Sequence, residues 1–312
     1  MMTTEGQVKF GIAIPQIFSA PRTDTAMLHA FLEKAEELGL HSLWVQEQIL
    51  GRGKPSLEPV ALLSYAAGLT RRLRLGTAVL LTPLRSPVQL AKALATLDQL
   101  SDGRLIVGVG LGASTAVYPA FGISPERRVR RFTEGLQLMK RLWAEERVTF
   151  EGEFWKLENA CMLPKPVQKP HPPVWFGGGH PNVLRRAVEL GDGWMGAGSS
   201  SSEGFHERVQ QIRALLSQAK RDPSTFVISK RVYLAVDSDK GRARERLRRW
   251  FDGYYGSADL AERVALWGDA KEIVQGLQRI RAAGADHVLL NPVFDEAHHL
   301  ELLAREIVPA LS

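Results

Sequence analysis

Cysteine is almost missing from this chain: of 312 residues only Cys161 carries a thiol. One cysteine cannot close an internal disulfide or build a cysteine-based metal cluster, and it fits a reducing compartment. Also missing is any run near the roughly 18 uninterrupted apolar residues that a membrane-spanning helix needs. The start, Met1-Met2-Thr3-Thr4-Glu5-Gly6-Gln7, has no basic head leading into an apolar stretch. A cytoplasmic protein without a membrane segment is therefore expected. There is no low-complexity segment, no short-period repeat and no linker long enough to divide domains. Residues 1–312 are read as one domain.

Several chemistries are excluded in the same way. No Gly-x-Ser-x-Gly elbow and no Walker-type lysine is present. The first strand carries no His-x-His, and no strand end gathers two histidines, which argues against a zinc hydrolase. Lys230 falls inside a strand, not at the strand end a Schiff-base enzyme would use. The chain holds 40 Lys+Arg against 34 Asp+Glu, a net +6 that could attract an anion. Its arginines cluster at Arg71 to Arg74, Arg127 to Arg131 and Arg242 to Arg249, the last two with Glu126, Glu134 and Glu245 nearby. No aromatics interleave with them, so they are read as solvated faces and ion pairs, and no nucleic-acid partner is expected.

Short aliphatic runs recur, each followed by a helical stretch. They begin at Lys9, Ser42, Leu73, Arg104, Val174, Gly193, Phe226 and His287. Ser86-Pro87 reads as the cap and first-turn proline of one helix, running to Leu100; another is expected over about Pro125 to Glu146, and a last over Glu296 to Ala310. Residues Val148 to Leu157 alternate as a small hairpin. Eight strands alternating with helices predict a (β/α)₈ TIM barrel. A doubly wound sheet would want a glycine fingerprint after strand one, and Pro15-Gln16-Ile17-Phe18 is not one.

The site of such a barrel lies at the carboxyl ends of its strands. Three of those ends are rich in glycine: Gly108 to Ser114 on strand four, Gly177-Gly178-Gly179-His180 on strand five and Gly196-Ala197-Gly198-Ser199-Ser200 on strand six. Glycine lets backbone N–H groups approach a flat ring or a phosphate, and successive amides form an anion-binding nest. The helix after His180-Pro181 would add its positive end. Little acid–base equipment beside room for a large anion suits chemistry carried by a cofactor.

Leu75-Gly76-Thr77-Ala78-Val79 with Pro83 and Arg85-Ser86-Pro87 resembles the third-strand signature of the bacterial-luciferase-like family. Leu97 to Arg104 with Gly108-Val109-Gly110 is similar to its fourth-strand approach. Pro164-Lys165-Pro166, Pro172 to Gly178 and Gly191-Asp192-Gly193-Trp194 look like its fifth and sixth strands. The resemblance implies a barrel with an insertion after strand four, here Ser114 to Pro173, and FMN or the deazaflavin coenzyme F420 as cofactor. It implies a non-proline cis peptide at Ala78-Val79, bulging under the ring. On it, Ala78, Val79, Thr82, Gly110, Gly112, Gly177, Gly178, Gly179, His180, Gly198 and Ser199 would bind cofactor, while Tyr118 and Phe121 would line the substrate cavity.

Many relatives follow strand two with Asp-His or Glu-His, the histidine acting near the reactive ring atoms; here the residues are Glu47-Gln48. A glutamine transfers no net proton. Glu47 is either a proton donor or substrate-positioning group, or a carboxylate paired with Arg52 or Arg85. Glu47 and Gln48 are the candidate catalytic residues. The expected activity is hydride or oxygen transfer between reduced cofactor and a small organic substrate. A separate reductase could supply reduced cofactor, and the resemblance implies a homodimer. The alternatives are a non-catalytic flavin-binding protein, and a cofactor-independent barrel lyase or isomerase acting on a phosphorylated metabolite.

Overall fold

The computed structural model describes residues 7–18, 22–50, 55–112 and 114–311. Met1 to Gly6, Arg52 and Ala113 lie outside the described residues. In chain order the main elements begin β1 (Lys9–Ala13), α1 (Thr25–Glu37), β2 (Ser42–Val45), α2 (Pro59–Leu69), β3 (Arg74–Thr77), β4 (Leu80–Leu81), α3 (Pro87–Leu100), β5 (Leu105–Gly110) and α4 (Arg128–Ala144). They continue with β6 (Val148–Glu151), β7 (Lys156–Ala160), β8 (Val174–Gly177), α5 (Pro181–Leu190), β9 (Gly193–Gly196), α6 (Ser202–Gln218), β10 (Val227–Val236) and α7 (Lys240–Tyr255). The chain closes with α8 (Leu260–Val264), β11 (Leu266–Gly268), α9 (Ala270–Ala282), β12 (His287–Pro292) and α10 (Glu296–Leu302).

Eight strands close a barrel in the order β1-β2-β3-β5-β8-β9-β10-β12, each parallel to its neighbours, with β12 returning to β1. The expected TIM barrel is present. Local signals place the helices: Asp24 Oδ1 accepts from the Met27 N–H at 2.9 Å to start α1, and Ser86 with Pro87 opens α3. Residues 148–160 form the expected antiparallel hairpin, β6 with β7. Glu134 does not serve an arginine; its carboxylate accepts the N–H groups of Glu153, Phe154 and Trp155 and ties that hairpin to α4. The other arginine clusters behave as ion pairs, as in Arg242–Asp237, Arg244–Glu262 and Arg249–Glu245.

The structure departs from the sequence pattern in four places. Strand three is not continuous. β3 pairs Gly76 with Ile106, and β4 resumes with Leu80 opposite Val109, so four steps on one side match three on the other. That extra residue is a bulge, and it holds the expected cis peptide between Ala78 and Val79. The short α8 and β11 extend the sheet beyond β10, where no strand was expected. Helix α4 starts at Arg128, not Pro125, because Arg127 adopts a left-handed conformation at its N-cap. The last helix is regular only to Leu302 and continues as a π turn over Leu303–Ile307.

Trp44, Ile106, Trp175, Met195 and Leu289 fill the barrel interior, with the Trp44 and Trp175 rings stacked 5.2 Å apart. Beneath them His287 sits between Ser42 (Nε2 to Oγ, 3.0 Å) and Ser229 (Nδ1 to Oγ, 2.8 Å). Burial holds its imidazole well below the usual histidine range, so it is a neutral packing group. This filled core closes the barrel from below and leaves the carboxyl-end mouth as the place for a ligand. No helix among the described residues is long and apolar enough to cross a membrane.

Candidate active site

At the strand carboxyl ends lies a cavity of about 630 Å³. Its floor is the bulge between β3 and β4. The Val79 side chain folds against bare backbone: a Cβ on Gly177 would stand 2.8 Å from Val79 Cγ1, and one on Gly110 2.6 Å from Cγ2. Any side chain at either position would push the floor upward.

One wall is the turn from β8 into α5, where Gly178 takes φ +123°, a conformation that side chains other than hydrogen rarely adopt. His180 caps α5, its Nδ1 accepting the Asn182 N–H at 3.2 Å. Amides here and the helix's positive end face the cavity together with Gly198 and Ser199 from the β9 loop. That loop is held from below by Lys230, whose Nζ donates to Ala197 O (2.5 Å), Ser200 O (2.8 Å) and Ser200 Oγ (2.8 Å). Burial, reinforced by Arg208 and Arg231, pushes the Lys230 ammonium down to about 7. Arg128 and Arg186 also line the cavity, and neither guanidinium has an ion pair among the described residues. Arg186 Nε is buried with no hydrogen-bond partner among the described residues.

Ten predicted residues meet here: Ala78, Val79, Gly110, Gly112, Gly177, Gly178, Gly179, His180, Gly198 and Ser199. Five do not line this cavity. Thr82 opens a single helical turn past the bulge, with its Oγ1 buried and unpartnered. Tyr118 is fully buried and donates from its hydroxyl to Leu111 O at 3.0 Å. Phe121 lines a separate crevice with Arg85 and Phe154. Gln48 keeps a buried Oε1 without a hydrogen-bond partner among the described residues. Glu47 adopts the ion-pair arrangement with Arg85: its Oε1 accepts Arg85 Nε at 2.8 Å and also Nη2, and its Oε2 accepts the Leu81 N–H.

Two residues outside the predicted set stand at the mouth. Arg231 of β10 donates to Asn291 Oδ1 (2.7 Å) and Gln46 Oε1 (2.5 Å). It borders both the main cavity and a smaller cleft lined by Trp44, Trp250, Asn291 and Glu296. Burial raises the Glu296 carboxyl above the usual range, and Asp295 adds to the effect. Period-two alternation along Ser229-Lys230-Arg231-Val232-Tyr233 puts Arg231 on the same inward face as Ser229, which meets His287 inside the barrel.

The barrel mouth combines a floor of glycine backbone, the N-terminus of α5 at one end and arginines around it. It defines an oxidoreductase that works through a flavin or deazaflavin. The family model for luciferase-like monooxygenases matches residues 8–265. An F420-dependent glucose-6-phosphate dehydrogenase of Kineococcus radiotolerans is 31% identical over 344 residues, spanning 100% of this chain and 99% of the relative. Among solved structures, an F420-dependent secondary alcohol dehydrogenase with an F420–acetone adduct superposes with a TM-score of 0.85 at 22% identity, over 98% of this chain and 99% of that one. A monooxygenase from Streptomyces bottropensis gives 0.83 at 29% identity, over 97% and 100%. The chain belongs to the luciferase-like monooxygenase family.

Proposed function

We propose that this chain is a coenzyme F420-dependent oxidoreductase moving hydride between the deazaflavin and a small uncharged alcohol or carbonyl compound. The observation that carries the choice of cofactor is that two arginines at this cavity, exposed Arg128 and part-buried Arg186, have no ion pair among the described residues, with Arg186 Nε buried and without a hydrogen-bond partner there. FMN ends at its phosphate, which the nest alone would satisfy. F420 continues into an acidic glutamate tail, which gives two further cations a purpose. The full-length similarity to an F420-dependent dehydrogenase supports the same reading.

Among the described residues that line the smaller cleft, the ionisable ones are Arg231 and Glu296. Arg231 is already engaged by Gln46 and Asn291. Among the described residues the cleft offers no free cation, which favours a neutral hydroxyl or carbonyl group over a sugar phosphate. Glu296 is the candidate to take or return the hydroxyl proton where relatives use a histidine. Bound F420 would supply the hydride site at its central ring.

Fluorescence titration of the purified protein with each cofactor tests the choice. F420 should bind tightly, F420 stripped of its glutamate tail more weakly, and FMN more weakly still. Tight FMN binding with none of F420, and oxygen-dependent turnover fed by a separate reductase, would replace this reading with a flavin monooxygenase. The likeness to the Streptomyces bottropensis monooxygenase is what favours that second reading.

A further inference from the structure

Every hydrogen-bond partner of the Arg231 guanidinium among the described residues is neutral. Its hydrogen bonds go to Asn291 Oδ1 (2.7 Å), Gln46 Oε1 (2.5 Å) and, at 3.5 Å, the Ala78 carbonyl, and the guanidinium lies 4.8 Å from the centre of the Tyr233 ring. No carboxylate pairs with it among the described residues. Taking a cation out of water without a counter-ion is costly, so the mouth is built to keep a charge there. Three strands contribute: β10 carries the arginine, β12 carries Asn291, and Gln46 just past β2 holds the outer guanidinium nitrogen. The fork is thereby fixed before any ligand arrives.

Its position says what the charge is for. Arg231 and Ala78 both line the main cavity and the smaller cleft, so the guanidinium sits at their junction, beside the bulge that forms the floor. The amide nest, Arg186 and Arg128 come from other elements and serve the cofactor's acidic arm. A flavin or deazaflavin has one further anionic locus. The pyrimidinedione edge, N1–C2=O, becomes negative when the reduced ring loses its N1 proton, and charge near N1 tunes such a cofactor.

We propose that Arg231 is the counter-ion of the reduced cofactor's pyrimidinedione edge, holding the reduced ring in its N1-deprotonated form. This rests on the cofactor reading above, though it applies to either ring. The other charged or titratable groups around the arginine are Lys230 and Tyr233 of its own strand, Tyr254 and Tyr255 of α7, and Glu296 of α10. Lys230 is committed to the β9 loop, and burial raises Tyr233 and Tyr254, so neither tyrosine supplies an anion near neutral pH.

The test compares wild type, Arg231→Met and Arg231→Lys. Each is titrated with F420 and FMN, oxidised and chemically reduced, and the absorbance of the bound reduced ring is followed against pH. An adjacent opposite charge lowers an acid's pKa by roughly 1–3 units. Arg231→Met should thus raise the bound ring's N1 ionisation by about one unit or more and cut the preference for reduced over oxidised cofactor about tenfold. Arg231→Lys should keep most of both, since it keeps the charge and loses only the fork. If Arg231→Met binds oxidised cofactor but leaves ratio and ionisation unchanged, the proposal is overturned. It is equally overturned if Lys and Met variants shift together, which marks a purely structural arginine. Should wild type bind neither ring, the cofactor reading falls first and takes this one with it.

Discussion

Glu47 was legible in the sequence as one of two things, a proton donor or half of an ion pair, and a pair of substitutions separates them. The carboxylate is fully enclosed, at 0% side-chain exposure, whereas Arg85 is 21% exposed. It accepts from three donors: Arg85 Nε, Arg85 Nη2 and the Leu81 N–H on the first residue pair past the bulge. Arg85 has a second partner, Glu58 Oε1, at 2.7 Å. The two single variants are therefore unequal. Glu47→Gln leaves an arginine that is partly wet and still paired, and should cost about 1.5–3 kcal/mol. Arg85→Gln strands a buried carboxylate and should cost about 3–5 kcal/mol. Against a total stability of roughly 5–15 kcal/mol, either is a large share. The double variant should cost clearly less than the sum, because both single changes break the same Glu47–Arg85 pair and only Arg85→Gln leaves a carboxylate without its cation.

The assay is urea unfolding of the four proteins, with turnover measured well below the melting range. As an anchor, Glu47 makes both single variants lose cofactor affinity together, since Glu47→Gln weakens the acceptor of the Leu81 amide and Arg85→Gln releases the carboxylate that holds it. As a proton donor, Glu47 would make Glu47→Gln lose about 10²–10⁴-fold in turnover while Arg85→Gln retained it. That split would refute the anchor role, as would single costs below about 0.5 kcal/mol, the range of ordinary surface changes.

Gly177→Ala should cost about 1–3 kcal/mol by overpacking against Val79 and weaken cofactor binding, with Val79→Ala in the same chain restoring both; a neutral Gly177→Ala would contradict the contact. Lys230 titrates near 7 in the folded chain against an ordinary 10.5, so the unfolded chain holds the proton more firmly in between. Stability should accordingly rise with pH across that window, by up to about 1.4 kcal/mol per unit, and the rise should disappear in Lys230→Met; parallel pH curves for the two proteins would refute it. Glu296→Gln should lower kcat/KM by about 10²-fold or more without changing cofactor affinity. In the wild type, the acid limb of the pH profile should lie above the ordinary carboxylate range, because burial and Asp295 hold that proton on. An equal loss of cofactor affinity in Glu296→Gln would count against a proton-transfer role.

Legibility followed the period of the strands. Trp44 faces inward, and alternation makes Gln46 inward and Glu47 outward, toward the layer where Arg85 meets it. Reading strand ends as bare positions hid that distinction. Thr82 was displaced for a related reason: the extra residue of the bulge, visible only in the register of β3 and β4 against β5, carries the chain into a helical turn before the cavity rim. Tyr118 and Phe121 follow β5 in sequence, but the insertion turns them into packing around Leu111 and a separate crevice. The glycine-rich ends were readable because a backbone that must approach a ligand or a neighbouring side chain leaves its mark directly on composition. Arg231 and Glu296 left only single charged letters, and their meaning depends on which other strands stand beside them.

The cavity is held in shape by ions that do not themselves line it. Glu47 pins the Leu81 amide behind one side of the floor, and Lys230 pins the β9 loop behind the opposite wall. Each is a costly group to bury, and well-packed apolar replacement of the whole Glu47–Arg85 pair, or of Lys230, which has no carboxylate partner among the described residues, would be expected to leave the fold as stable or more so. Their use therefore makes sense through position: three hydrogen bonds from one rigid side chain fix loop atoms more narrowly than apolar contact does, and a ring stacked over a bulge requires both walls in place at once. It follows that Lys230→Met should trade in opposite directions, gaining stability at neutral pH while loosening the Gly198–Ser199 turn and with it the grip on the cofactor's anionic arm. A variant that gained stability and kept full affinity would show that the loop holds its own shape and that the buried lysine has another purpose.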